Sequence, residues 1–172
     1  TVTVSPTSAD LADAAASAKA WQEKQYEAKE LAGEAAVTTD GCLLSLGGNV
    51  GSAEEVGAAV RDGADSIGLF RSEFLFLGRS TLPSEEEQYE AYRAALKAAE
   101  GRSCIIRTLD AGGDKPIPAL SLPPGANPAL GQRAIRISLA RPDVLRVQLR
   151  AILRAGTAGA VGILLPLVVS RT

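Results

Sequence analysis

The 172-residue sequence contains no histidine, no methionine, only two cysteines and no long apolar segment. Without histidine, the chain cannot supply a histidine general base, a histidine metal ligand or a phosphohistidine. Without methionine, Thr1 is not expected to be the first residue of the encoded protein. The longest apolar stretch, residues 160–169, is half as long as the ~20-residue segment that spans a bilayer. No charged and apolar leader opens the chain, so a cytoplasmic protein without a membrane segment is expected.

The charge of the chain excludes a general affinity for polyanions. Lysine and arginine residues number 18 and acidic residues 20, the formal net charge is −2, and the cationic residues form no run. Such a balance does not attract nucleic acid or an anionic membrane, so neither is expected as a partner. The content of 46 % apolar and 22 % charged residues is that of an ordinary globular protein.

The two cysteines, Cys42 and Cys104, each lie inside an apolar run that has the character of a buried strand. Free cysteine is among the residues most often buried. We therefore predict two small core residues and no disulfide framework.

The first 37 residues are predicted to form a helical linker. Residues 8–32 contain no proline or glycine and are rich in alanine, lysine and glutamate, which favours a helix. Gly33 follows, and a left-handed helix cap is expected there. Large apolar residues are few in this segment, so we expect a connecting helix that buries only a narrow stripe.

From residue 38 to residue 172, short apolar runs alternate with helical segments. Strands are predicted at residues 42–50, 66–70, 104–109 and 160–169. Three helices are predicted between them. The first two begin with capping boxes at Ser52 and Ser84 and end at Gly63 and Gly101. The third begins at Asn127-Pro128 and is restarted by Pro142.

This alternation predicts parallel βαβ units and an α/β fold class. Four such units fit a small doubly wound sheet or the first half of a TIM-type β/α barrel, preceded by the long helix. Because the sequence ends directly after a strand, the half barrel with four parallel strands is the favoured interpretation.

Two arginines are predicted to meet at one edge of the sheet. Arg71 and Arg107 each end an apolar run, one βα unit apart, and ligands of parallel α/β folds bind beyond the carboxyl ends of the strands. The planar guanidinium matches the oxygens of phosphate or carboxylate in bidentate fashion. The alternative is that these arginines form ion pairs with Glu73 or Asp110 that only close the strand ends.

The loop at residues 111–116 offers a further cation and flexible backbone. Its glycines allow backbone N–H groups to approach an anion, and Lys115 adds a movable charge. The same loop is also compatible with a tight turn before a proline. Arg133 is expected on a solvated helix face.

Three segments of the sequence resemble enzyme I, the phosphoenolpyruvate-protein phosphotransferase family of the bacterial sugar phosphotransferase system. They are GADSIGLFRSEFLFLGRSTLPSEEEQYEAY at residues 63–92, IIRTLDAGGDKPIP at residues 105–118 and NPALGQRAIR at residues 127–136. The resemblance implies that residues 38–172 are the N-terminal half of the family's phosphoenolpyruvate-binding β/α barrel. It also implies that Arg71 and Arg107 hold phosphoenolpyruvate, that Lys115 lies near its phosphate, and that Arg133 is a further basic residue near the site.

The same resemblance implies an activity that this chain lacks when alone. In the family, the phosphoryl group passes from phosphoenolpyruvate to a histidine of the enzyme's own N-terminal domain, and then to a histidine-containing phosphocarrier protein that serves sugar uptake. The resemblance places the two magnesium-binding carboxylates, a third substrate arginine and the proton-donating cysteine beyond Thr172. We therefore expect no catalytic residue and no metal ligand in this chain, and a homodimer as the state of the complete enzyme.

Two other interpretations remain open. Pyruvate phosphate dikinase and phosphoenolpyruvate synthase share the barrel and its arginines, although dikinases usually carry histidine where this sequence has Phe74. The second alternative is a half barrel without catalytic activity that serves as a binding module.

Overall fold

The computed structural model describes residues 2–112, 117–120, 127 and 130–170. The chain divides into two compact units, Thr1–Ala35 and Ala36–Thr172. The first unit contains helix α1, Ser8–Leu31, opened by a capping box between Thr7 and Asp10. No residue of this fully described helix is buried, so the expected apolar stripe is exposed. The predicted left-handed cap at Gly33 is wrong, because Gly33 does not have a positive φ; Ala32 closes the helix and donates its N–H to the Lys29 carbonyl at 3.3 Å.

The predicted first strand is two separate elements in the structure. Strand β1, Ala36–Val37, pairs antiparallel with β2, Leu43–Leu44, whereas β3, Gly47–Val50, belongs to the larger sheet. A continuous apolar run does not reveal by itself where a hairpin ends and a sheet strand begins. The prediction that Cys42 is buried is therefore wrong, since this residue is exposed at the hairpin.

The main sheet has four parallel strands in sequential order. They are β3, β4 at Ser66–Arg71, β5 at Cys104–Arg107 and β6 at Val161–Leu164. The predicted α/β class with four parallel strands is confirmed. Strands β5 and β6 are shorter than predicted. Cys104 is free and buried, as predicted, and its burial raises the pKa of the thiol to about 11.

Within the described ranges, four α-helices accompany the sheet: α2 at Ala53–Arg61, α3 at Glu85–Ala98, α4 at Ile135–Ala140 and α5 at Pro142–Ala155. The predicted ends of α2 and α3 are confirmed, because Gly63 and Gly101 have φ angles of 91° and 84° just after these helices. The helix expected to start at Asn127-Pro128 begins only at Ile135, with Asn127 in a bend and Pro128 outside the described residues. None of the helices within the described ranges is long and apolar enough to cross a membrane.

The capping box predicted at Ser52 is only half formed. The Ser52 hydroxyl accepts a hydrogen bond from the Glu55 N–H at 3.2 Å, as the motif requires. The Glu55 carboxylate, however, accepts its bond from the N–H of Gly51 at 2.7 Å. This carboxylate is thereby turned toward the carboxyl edge of the sheet.

Helices α2, α3 and α5 bury one face of the sheet. Their apolar side chains join those of the strands in a single core. The buried members are Val50, Val56, Ile67, Phe70, Tyr92, Ala95, Leu96, Ala99, Cys104, Ile106, Ala151, Ile152 and Ala155. A second, smaller core lies beyond the strand ends. It comprises Phe76, Leu109, Ala111, Ile117, Leu120, Ile137 and Val144.

The opposite face of the sheet is left partly open. Side chains alternate along a strand. Cys104 and Ile106 point toward the helices, and Ile105 and Arg107 therefore point away from them. Ile105 is 36 % exposed, and Leu164, the register partner of Arg107, is 37 % exposed. The functional side chains considered below lie on this open side, at the carboxyl ends of the strands.

We expect the capping box of α3 to contribute a pH-dependent part of the stability. Hydrogen bonds from the Ser84 N–H and from Arg79 lower the pKa of Glu87 to about 2. A carboxyl whose pKa is lower in the folded state stabilises the fold above its unfolded pKa, and this contribution is lost as the pH falls toward the folded value. Between pH 4.5 and pH 2 the original chain should therefore lose more stability than Glu87→Gln, as measured by urea unfolding. If both proteins lost the same unfolding free energy between pH 4.5 and pH 2, this expectation would be contradicted.

Candidate functional site

Sheet pairing places Arg71 and Arg107 side by side. Each is the last residue of its strand, β4 and β5, and the two are register partners in the parallel ladder. The predicted meeting of these two residues at one edge of the sheet is confirmed. We call this place, formed by Arg71, Arg107 and the residues that hold them, the arginine edge.

Arg107 is held by two carboxylates. Its guanidinium donates to Glu73, which is only 2 % exposed, and lies 3.3 Å from the Asp110 carboxylate. The ion pairs that the sequence offered as an alternative are therefore present. They do not use the whole guanidinium, because the buried Nε of Arg107 has no hydrogen-bond partner among the described residues.

Arg133 also contacts the Asp110 carboxylate. Its Nε and Nη2 donate to the two oxygens of Asp110 at 2.9 and 3.3 Å. Arg133 precedes the first helical residue, Ile135, so the expectation of a solvated helix face is wrong. Asp110 thus joins two guanidinium groups, those of Arg107 and Arg133, into one network.

Arg71 is held more loosely. Its Nη2 lies 3.6 Å from the half-exposed Glu55 carboxylate, and its guanidinium lies 4.9 Å from the centre of the Phe74 ring. That ring occupies the space beside Gly51, where an added Cβ would come within 2.4 Å of it. The buried Nε of Arg71 also lacks a hydrogen-bond partner in the described part of the chain, as does Oε2 of Glu73. Buried groups of this kind normally have a partner, so their presence at one edge favours a ligand there.

The loop beyond Asp110 is only partly described. Lys115, the cation predicted there, lies outside the described residues. Gly112 is described, and its φ of 107° lies in the region that favours glycine. An added Cβ would lie 2.4 Å from the Gln132 carbonyl oxygen and 3.2 Å from the Cα of Arg133. Gly112 therefore lets the Arg133 segment pack directly against the loop.

Replacing Gly112 by alanine is expected to destabilise the fold by about 1 to 3 kcal/mol, because the new Cβ requires a strained backbone and displaces a neighbouring carbonyl. Urea unfolding measures the loss. Gly57→Ala is the matched control: Gly57 lies inside α2, where an added Cβ meets only the flexible end of Arg61. That change should be neutral or stabilising by up to about 1 kcal/mol. Equal effects of the two substitutions would show that the backbone at residue 112 is not constrained.

A buried amide connects the strand ends to helix α5. The Leu109 N–H donates to Oε1 of Gln148 at 2.9 Å. Nε2 of Gln148 donates to the Ser72 hydroxyl and to the Tyr92 hydroxyl, both at 3.0 Å. The Ser72 hydroxyl in turn donates to the Arg107 carbonyl at 2.7 Å. Burial raises the pKa of Tyr92 far above its ordinary value, so Tyr92 remains a neutral hydroxyl in this network.

Among the described residues, the charges at the arginine edge balance. Arg71, Arg107 and Arg133 face the carboxylates of Glu55, Glu73 and Asp110. A multiply charged anion bound here would need additional cations. Within the described residues, no group of three or more His, Cys, Asp or Glu side chains could hold a metal ion.

Several of these residues were not singled out from the sequence. Glu55 was read only as a capping residue, and Gln148 was not considered. A signal for Gln148 exists, since it interrupts the buried stripe of α5 formed by Val144, Ala151, Ile152 and Ala155. Asn49, at the end of β3, is exposed and pairs in register with Leu69.

The chain is similar to a family of known proteins. Residues 25–172 match the family model of the PEP-utilising enzyme, PEP-binding domain.

Curated proteins named phosphoenolpyruvate-protein phosphotransferase are also similar. The protein of Latilactobacillus sakei is 42 % identical over 167 residues, which cover 97 % of this chain and 29 % of the relative. The protein of Buchnera aphidicola from Acyrthosiphon pisum is 49 % identical over 135 residues, 78 % of this chain and 24 % of the relative. That of Bacillus subtilis is 43 % identical over 149 residues, 87 % of this chain and 26 % of the relative. The chain therefore spans about a quarter of the length of the curated relatives it matches.

Proposed function

Since the chain belongs to the PEP-utilising enzymes, matching their PEP-binding domain, we propose that it binds phosphoenolpyruvate as part of a phosphoenolpyruvate-protein phosphotransferase. The complete protein passes the phosphoryl group to a protein histidine and then to a histidine-containing phosphocarrier protein that serves sugar uptake. This chain contains no histidine, so the acceptor is not within it. The chain alone is inactive as a phosphotransferase.

The observation that carries the proposal is the pairing of Arg71 with Arg107. The two forks stand in register at the carboxyl edge of the sheet, and each has a buried Nε without a partner among the described residues. Phosphoenolpyruvate carries a phosphate and a carboxylate, and a guanidinium fork suits either group. Two adjacent forks therefore suit a small molecule with two anionic groups better than a single anion.

The carboxylates at the arginine edge position the forks. Glu73 and Asp110 hold Arg107 from two directions, and Asp110 also holds Arg133. A fork that is already fixed loses little side-chain entropy when it binds its ligand. We propose that Lys115 and Arg133 complete the substrate site as further basic residues.

Magnesium is part of the proposal for the complete protein only. The described residues contain no group of carboxylates, cysteines or histidines that fits a metal ion, and Glu73 and Asp110 are already paired with arginines. The magnesium ligands would lie in the part of the complete protein that this chain does not contain.

The architecture favours a half barrel rather than a doubly wound sheet. The strands follow one another in sequential order, without the change of order that marks a doubly wound sheet. The core helices lie on one face, and the other face exposes Ile105 and Leu164. We propose that residues 38–172 form the N-terminal half of a TIM-type barrel, that residues 1–37 form the linker before it, and that the complete protein is a cytoplasmic homodimer.

The proposal is tested by phosphoryl transfer in the full-length protein that contains this chain. The protein is incubated with magnesium and phosphoenolpyruvate labelled in its phosphoryl group, with and without a histidine-containing phosphocarrier protein. Acid-labile label on the protein, passing to the carrier when it is present, is the expected result. Label that stays on the protein when the carrier is present, in a protein that also acquires label from ATP, would contradict the proposal and favour a dikinase or synthase.

A further inference from the structure

Gln148 is a polar residue at a position where helix α5 is otherwise apolar. The residue is 1 % exposed, and its neighbours along the buried stripe are Val144, Ala151 and Ile152. An amide buried without partners costs several kcal/mol of folding free energy on apolar-solvent scales, so a packed aliphatic side chain would be the simpler solution for a core. The amide is retained with both of its N–H donors and its carbonyl oxygen bonded.

The bonds of Gln148 hold the backbone on both sides of Thr108. On one side, Oε1 accepts the N–H of Leu109 directly at 2.9 Å. On the other side, Nε2 donates to the Ser72 hydroxyl at 3.0 Å, and this hydroxyl donates to the Arg107 carbonyl at 2.7 Å. The end of β5 is therefore fixed at Arg107 and again at Leu109.

The same amide also fixes the neighbouring strand. Ser72 directly follows Arg71, so the bond from Gln148 to Ser72 tethers the end of β4 as well. One side chain of α5 thus connects to the ends of the two paired strands that bear Arg71 and Arg107. The residue itself has no exposed surface from which it could touch a ligand, since it is 1 % exposed.

We propose that Gln148 is a positioning residue of the arginine edge: through the Ser72 hydroxyl, which donates to the Arg107 carbonyl, and through the Leu109 N–H it orients the Arg107 fork that binds the substrate. This inference rests on the proposed binding of phosphoenolpyruvate to Arg71 and Arg107. It assigns to Gln148 an effect on substrate affinity that acts through Arg107.

The test compares phosphoenolpyruvate affinity in the full-length protein that contains this chain. Gln148→Met keeps the length of the side chain and removes its hydrogen bonds, and Ser72→Ala removes the link to the Arg107 carbonyl. Each change is expected to weaken binding about 10-fold, because a displacement of a fork by a fraction of an ångström lowers its complementarity to the ligand. The double variant should lose less than the two single losses combined, since both substitutions interrupt the connection from Gln148 through Ser72 to Arg107.

A core variant on the same helix separates positioning from general stability. Ile152→Val lies one turn along α5 in the same core, and it should lower the unfolding midpoint without weakening phosphoenolpyruvate binding. All titrations are made by calorimetry at a temperature where circular dichroism shows every variant to be folded. An equal loss of affinity in Ile152→Val and Gln148→Met would overturn the positioning role.

The decisive step repeats Gln148→Met in an Arg107→Ala background. If Gln148 acts through Arg107, its substitution should have almost no further effect on affinity there. A second loss of about 10-fold in this background would mean that Gln148 has only a structural role. If Arg107→Ala weakens binding and Gln148→Met does not, the inference fails and the proposed function stands. If Arg107→Ala leaves binding unchanged, the proposed function fails, and the inference with it.

Discussion

Replacing Arg107 by alanine in the full-length protein is expected to weaken phosphoenolpyruvate binding by on the order of 1.5 to 3 kcal/mol, the contribution of a charge-assisted hydrogen-bonded contact. This corresponds to a loss of about 10- to 150-fold in affinity. The residue occupies the centre of the arginine edge, next to Arg71 in the sheet and in contact with Glu73 and Asp110. Calorimetric titration with phosphoenolpyruvate measures the loss.

Two further variants make this result interpretable. Alanine at residue 107 leaves the nearly buried Glu73 carboxylate without its partner, which can destabilise the fold by about 3 to 5 kcal/mol. Arg107→Lys retains a positive charge beside Glu73 but removes the planar fork, so it should fold and still bind less tightly. Arg102→Ala is the charge control, because Arg102 precedes the other end of the same strand. Unchanged affinity in both Arg107 variants would reject the site.

Replacing Phe70 by alanine is expected to have the largest effect on stability. Phe70 is 1 % exposed and lies at the centre of the main core, with its ring 6.0 Å from that of Tyr92 in an edge-to-face contact. A buried phenylalanine truncated to alanine costs about 3 to 5 kcal/mol, because transfer free energy is lost and a cavity remains. Urea unfolding followed by circular dichroism measures the change.

The chain offers a matched control four residues away. Phe74 undergoes the same chemical change on Phe74→Ala, but it is 52 % exposed and contacts mainly Gly51 and the Arg71 guanidinium. Its loss should cost about 1 kcal/mol or less, the range of an exposed cation–π contact. Similar losses for Phe70→Ala and Phe74→Ala would contradict the placement of the core.

The parts of the fold that the sequence predicts well depend on neighbouring residues. The capping box of α3 involves only Ser84 and Glu87, and glycines with positive φ, Gly63 and Gly101, follow α2 and α3, so these features can be read locally. Hairpin β1–β2 has a local signal in its turn, Asp40-Gly41 with a φ of 87° at Gly41, and the prediction of one strand over residues 42–50 overlooks it. The late start of α4 at Ile135 has no local capping signal, since Ala134 precedes it without a side-chain cap.

The arginine edge was predictable in position but not in detail. Arg71 and Arg107 end consecutive strands of a parallel sheet, and this alone requires that they meet at one edge. Gln148, in contrast, reaches Leu109 and Ser72 across 39 and 76 residues of sequence. Such contacts depend on how α5 packs on the sheet, which no local pattern specifies. Lys115, which the sequence also places at the site, stays a prediction.

Whether Arg71 and Arg107 together hold phosphoenolpyruvate is tested most directly by a crystal structure of the full-length protein with this ligand. We predict that the phosphate and the carboxylate lie within hydrogen-bond distance of the two guanidinium groups, and that the unpartnered Nε atoms of Arg71 and Arg107 are satisfied. Phosphoenolpyruvate bound elsewhere, with Arg71 still beside Glu55 and Arg107 still held only by Glu73 and Asp110, would contradict the account.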